Sequence, residues 1–172
     1  MRTLLRSVFV IMFLLAICFI FLAQTSWFQV INSKTHETSH PVTQEEVRKE
    51  VPYFNLPASA SNIWYATSTF GVNLYRFDAP LADCLAYAQR LIATNNSTES
   101  TSYMVPTQLV AIAASPQAID HDLLKKAYRL KGTAWFDVEN VTEGWTGSGP
   151  PSGRSSFWID AKRGRFYFYW TE

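Results

Sequence analysis

The chain has 172 residues, of which 48% are apolar, 17% charged and 15% aromatic. Fifteen Lys+Arg against fourteen Asp+Glu leave a net charge of +1, which excludes a nucleic-acid binder held by bulk positive charge. Two cysteines exclude a disulfide-stapled scaffold and a cysteine-rich zinc site, and 6 Trp, 8 Tyr and 12 Phe exclude a disordered chain.

Arg2 and Arg6 precede an unbroken apolar run from Val8 to Ala23. As a helix this run rises about 24 Å, and Leu4, Leu5, Trp27 and Phe28 extend it toward the roughly 30 Å of a hydrocarbon core. Arg6 is placed to snorkel and Trp27 to sit at the interface. Residues 1–28 therefore read as a signal anchor, with the membrane engaged through 4–28. The alternative is a cleaved signal peptide, for which Ala23-Gln24-Thr25 is the nearest, poor, cleavage site. The anchor makes a single-pass protein with its N-terminus cytoplasmic and its C-terminal domain outside the cytoplasm. Cleavage leaves a secreted or periplasmic domain.

Residues 29–52 read as a juxtamembrane linker with a short helix. Thr43 and Glu46 form a capping box, Val42 and Val47 a hydrophobic staple, and Pro52 a stop. The domain proper is expected over 53–172. Residues 62–67 and 72–77 read as strands. Asp78 then caps a helix with Pro80 in its first turn and an apolar stripe of Leu81, Cys84, Leu85, Ala88, Leu91 and Ile92. Residues 95–102 read as a loop, and 108–113 as a strand. Ser115-Pro116 opens a second long helix, closed by Gly132. A strand over 133–138, a Gly/Pro loop over 144–156 and a terminal hairpin of 157–160 and 165–170 complete the chain. The fold class is α+β. A mainly antiparallel sheet of about six strands follows the N-terminal transmembrane or signal helix, with two main helices packed on one face.

The chemistry-bearing residues are sparse. Asp120-His121-Asp122 reads as a solvated helix start, because neighbours on a helix point about 100° apart and do not converge. His36 and His40 lie four apart in the linker without further ligands. Cys84 lies on an apolar stripe without a base, so it reads as core. The 147–154 loop lacks the lysine and strand-to-helix setting of a phosphate cradle. Sequons begin at Asn95, Asn96 and Asn140. No catalytic residue, metal site or cofactor is assigned.

The run Phe166-Tyr167-Phe168-Tyr169-Trp170 stands out. Alternation puts Phe166, Phe168 and Trp170 on a core face and Tyr167 and Tyr169 on the other. With Trp158 and Trp145 these tyrosines are the binding residues expected from sequence. The functional expectation is a non-enzymatic binding module of the cell envelope, whose partner is an envelope protein or glycan. One alternative is an exported hydrolase drawing on Asp78, Asp83, Asp137, Glu139 and Asp160. Another is an assembly subunit acting through its anchor helix and Cys18.

Overall fold

A computed structural model of the chain describes residues 35–52, 54–68, 71–97, 108–148 and 155–171. The expected anchor over 4–28, Cys18 and the Gly149–Arg154 part of the glycine-rich loop lie outside the described residues. Among the described residues, no helix is long and apolar enough to cross a membrane.

Residues from Thr35 onward form one compact unit built on a seven-stranded antiparallel sheet. In chain order the elements are β1 (Thr35–Glu37), α1 (Gln44–Glu50), β2 (Ser61–Ser68), β3 (Val72–Asp78), α2 (Leu81–Ser97), β4 (Gln108–Ala111), α3 (His121–Tyr128), a 3-10 turn (Val138–Asn140), β5 (Gly144–Ser148), β6 (Ser155–Asp160) and β7 (Arg165–Thr171). Across the sheet the strands run β1-β2-β3-β7-β6-β5-β4. The C-terminal strand is thus central, paired with β3 and β6 along its length. The fold is α+β with three helices.

Strand alternation divides the side chains between two hydrophobic layers. Ile63, Tyr65, Tyr75, Phe77, Phe157, Ile159, Phe166 and Phe168 face one side, where α1 contributes Val47 and α2 contributes Cys84, Tyr87 and Ala88. Rings stack across the strands there: Tyr75 on Phe168 at 4.9 Å, Phe77 on Phe166 at 5.1 Å and Phe157 on Phe166 at 5.7 Å. Ala66, Val72, Leu74 and Tyr167 face the other side, under Leu124 of α3 and the segment carrying Leu130, Trp135, Phe136, Val138 and Val141. The helices therefore lie on both faces, not on one as expected. The reason is visible in β3 and β7, whose two faces are both buried, so each needs its own cover.

The strand count rises from six to seven through three changes. Residues 35–37, assigned to the linker, form edge strand β1 against β2. Residues 144–148, read as loop, form β5 between β4 and β6. Residues 133–138, read as a strand, instead form turns that carry Trp135 and Phe136 down onto the sheet. The capping box of α1 is present as expected: Thr43 and Glu46 bond reciprocally. This lowers the Glu46 pKa, mainly through its bond from the Thr43 amide. Val47 and Val51 then bury in the core, so α1 belongs to the folded unit.

Two helix ends differ from expectation. Asp78 does not cap α2, because its carboxylate is taken by Arg165 and Asn62. Helix α3 starts not at Ser115-Pro116 but at His121, where the Asp120 carboxylate accepts from the Leu123 amide at 2.8 Å. Its left-handed closing residue is Arg129, at φ 57°, in place of Gly132. The terminal hairpin turns as expected, with Gly164 at φ 61° and Asp160 accepting from the Lys162 and Arg163 amides at 3.0 Å.

Candidate functional site

Two groupings of polar and aromatic side chains lie on the α3 face of the sheet. The first is an ion-pair lattice at the end of the sheet near the β6–β7 turn. Arg165 on β7 donates to Asp78 on the paired strand β3 at 2.6 and 3.2 Å. Asp137 takes bonds from Arg163 at 2.9 Å and the Tyr167 hydroxyl at 2.8 Å, with Arg76 at 3.4 Å. Arg163 also reaches Asp160. Three arginines thus meet three aspartates.

The electrostatics follow from that pairing. Burial opposes ionisation of Asp78, but the bonds from Arg165 and Asn62 outweigh it and hold the carboxyl below its ordinary range. Burial likewise opposes ionisation of Asp137, and the bonds from Arg163 and Tyr167 again prevail. The Tyr167 phenol is pushed up to about 12, chiefly by burial. Neither aspartate is a proton donor near neutral pH, since a general acid needs a raised pKa. The other two acids of the hydrolase alternative lie elsewhere. Asp83, on α2, accepts from Ser59, and Glu139 sits in the 3-10 turn. Among the described residues, no group of three or more His, Cys, Asp and Glu is arranged to hold a metal ion.

The second grouping is a pocket of about 640 Å³ lined by Thr35, Glu37, Thr38, Ser39, Trp64, Lys131, Gly132, Ala134 and Trp135. Its size falls within the roughly 300–1,000 Å³ of small-molecule sites. One wall is the N-terminal edge, β1 and the residues after it. The other is the segment after α3. The two are joined by the Glu37 carboxylate, which accepts the amides of Lys131, at 2.6 Å, and Gly132. The register of β2 brings Trp64 to the wall. Asn62, at φ 46°, sits in a bulge where the β2–β3 register shifts, and its side-chain oxygen takes the Trp64 indole N–H at 3.1 Å. Trp135 stacks on Trp64 with centroids 6.0 Å apart and planes 24° apart. The Arg76 guanidinium lies 5.6 Å over Trp64 and donates to the Trp135 carbonyl, which ties the pocket wall to the lattice.

The four binding residues expected from sequence do not share one surface. Tyr167 is wholly buried. Trp158 and Tyr169 are half-buried and pack against the same layer as Tyr167. Trp145 packs on the opposite layer, opposite Ile159 of β6. His121 also departs from the solvated reading. It is half-buried, with its Nδ1 2.6 Å from the Thr133 hydroxyl. His36 and His40 go separate ways, the former to Glu50 at 3.2 Å. Cys84 is buried as expected. The residues missed are Trp64, Trp135 and Glu37. The contacts that bring them together, Trp64 with Trp135 and Glu37 with Lys131 and Gly132, span 71 to 95 positions, and only Trp64's place in a β-rich run was legible locally. No protein-family model, curated protein or solved structure matches the chain.

Proposed function

We propose that this chain is a single-pass membrane protein that displays its sheet domain outside the cytoplasm as a non-enzymatic binding module of the cell envelope. Residues 4–28 hold it in the membrane with the N-terminus cytoplasmic; if the leader is cleaved, the same domain acts free in the periplasm or exterior. The partner is an envelope protein or glycan.

The observation that carries this reading is the pocket between β1 and the segment after α3, with its paired Trp64 and Trp135. It is open, of ligand size and part aromatic, part polar, which is the makeup of a recognition site. Three of the five acids of the hydrolase alternative are ill suited to acid catalysis: Asp78, Asp137 and Asp160 are each bonded to arginine, and the first two are held ionised.

The test is retention of the full-length protein on isolated envelope material, using a detergent without a sugar head group. Wild type is expected to be retained and Ala134→Arg, which fills the pocket from an exposed lining position, to be lost by roughly tenfold or more. Equal retention of the two proteins contradicts the placement of the site. Absence of retention contradicts the binding reading, and an active cytoplasmic reporter at the C-terminus contradicts the topology.

A further inference from the structure

The two edges of the sheet are built differently. Edge strand β1 has three residues, and two of its side chains are polar and engaged. His36 faces Glu50 at 3.2 Å, and Glu37 accepts the Lys131 and Gly132 amides. Short edges that carry charge resist pairing with another chain. Strand β4, at the far edge of the sheet, has no such protection. The run Gln108-Leu109-Val110-Ala111-Ile112 holds no charge and no proline, and its register with β5 continues without a bulge. Val110 is 36% exposed and is one of two exposed large apolar side chains among the described residues.

The register says which backbone groups of β4 face outward. The Ile112 amide donates to the Gly144 carbonyl at 2.9 Å, continuing the pairs Gln108–Ser148 and Val110–Thr146. Bonded residues alternate along an antiparallel strand, so Gln108, Val110 and Ile112 turn both backbone groups toward β5. Leu109 and Ala111 turn theirs away. Among the described residues, none bonds to those two amides and two carbonyls.

These four groups are complementary to themselves. A second copy laid antiparallel, with Val110 on the two-fold axis, sets Leu109 against Ala111 of its neighbour and Ala111 against Leu109. Each of the two pairs exchanges two hydrogen bonds, so all four outward groups are satisfied. The same register places Val110 against its own copy, and it opposes no like charges. We infer that two copies of this chain pair through β4 and join their sheets into one. A five-residue edge is about 17 Å long, too little by itself for the roughly 1,200 Å² that stable interfaces bury. The dimer is therefore weak and depends on protein concentration.

The experiment traps the pair covalently in the full-length protein in detergent, in a Cys18→Ser background. Across the axis the two Cα atoms of residue 110 lie about 4.5 Å apart, within disulfide reach. Val110→Cys under copper–phenanthroline is expected to form a dimer at least about tenfold faster than Leu123→Cys, exposed on α3 and off the edge. Adding Ala111→Pro removes an outward amide and leaves the bonds to β5 in place, so the dimer yield is expected to fall about tenfold. Association through residues 4–28 would survive that change. Sedimentation without oxidant gives a second reading. Wild type is expected to dimerise with concentration, and Val110→Lys, which sets two like charges face to face at an exposed position, to dimerise about tenfold more weakly. Circular dichroism confirms that each variant is folded. No dimer at 110, equal dimer at 123, or association unchanged by Ala111→Pro and Val110→Lys overturns the inference. So does Val110→Cys oxidised in the native host joining a different protein and not a second copy.

Discussion

The Tyr167 hydroxyl donates to the Asp137 carboxylate at 2.8 Å, thirty positions away in sequence. The ring is wholly buried, edge-on to Phe136 with centroids 5.5 Å apart. Tyr167 is therefore a strut between the central strand and the segment that covers it. Tyr167→Phe keeps the ring and removes one charge-assisted bond, so it is expected to cost about 1.5–3 kcal/mol. Tyr167→Ala also leaves a cavity and is expected to cost about 3–5 kcal/mol. Urea unfolding checks both. A loss below about 1 kcal/mol for the alanine variant would mean that the ring is not packed as described.

Acid should weaken the fold through the same lattice. Asp78 and Asp137 have carboxyl pKa values depressed in the folded state, whereas an unfolded aspartate titrates near 3.9. A depressed folded pKa means that unfolding takes up protons. The stabilisation is then fully present above the unfolded value and is lost as pH falls through the folded one. Stability is expected to be nearly flat from about pH 5 to 7 as far as these groups are concerned, and to fall steadily below about pH 4. Asp137→Asn is expected to cost about 2–3 kcal/mol at neutral pH, less than for a fully buried pair, and to flatten the acid slope. Denaturant titrations at a series of pH values provide the comparison. A variant slope as steep as wild type contradicts the role given to Asp137.

Cys84 should be inert in the native protein. Burial, with smaller contributions from Asp83 and Asp78, pushes its thiol up to about 12. At pH 8 the thiolate is then about one part in ten thousand, and only the thiolate reacts. In a Cys18→Ser background, a disulfide reagent is expected to label Cys84 only as fast as the domain unfolds, and promptly in guanidinium. Fast stoichiometric labelling of the native protein contradicts the burial.

Glycine is demanded at position 144. Its φ is +144°, and a Cβ there lies 1.8 Å from the Ile159 carbonyl oxygen of the neighbouring strand. Gly144→Ala combines a strained backbone with a clash on rigid backbone, and is expected to cost at least about 2 kcal/mol. Thr43→Ala, which removes one side of the α1 capping box, is expected to cost about 1 kcal/mol. Thermal melts of the two variants rank these costs. A Gly144→Ala melt at or above that of Thr43→Ala overturns the ranking.

What was legible in the sequence was whatever depends on near neighbours. The Thr43–Glu46 capping box, the apolar stripe around Cys84 and the Gly164 turn each involve residues within a turn or two of one another. What was not legible depends on long-range pairing. Thr35–Glu37 is polar and short, and becomes a strand only because β2 offers an edge. Trp135 and Phe136 carry strand-like propensity, yet they serve as the cover of the second face of the sheet, and tertiary packing overrides propensity. The same limit explains the binding residues. Alternation correctly separated Tyr167 and Tyr169 from Phe166 and Phe168, but it is silent on whether a face is covered. The segment after α3 covers it, and the aromatic residue that reaches the pocket is instead the half-buried Trp64, beside an edge that only the fold creates.

The most direct test of the account is a photoreactive side chain placed at position 134, in the lining of the pocket, in the protein expressed in its native host. Position 123, where Leu123 is 55% exposed on α3 and outside the lining, is the control. Irradiation is expected to give an adduct of defined mass at 134 and none at 123. No adduct at 134, or the same adducts at both positions, contradicts the claim that this pocket is where the domain binds.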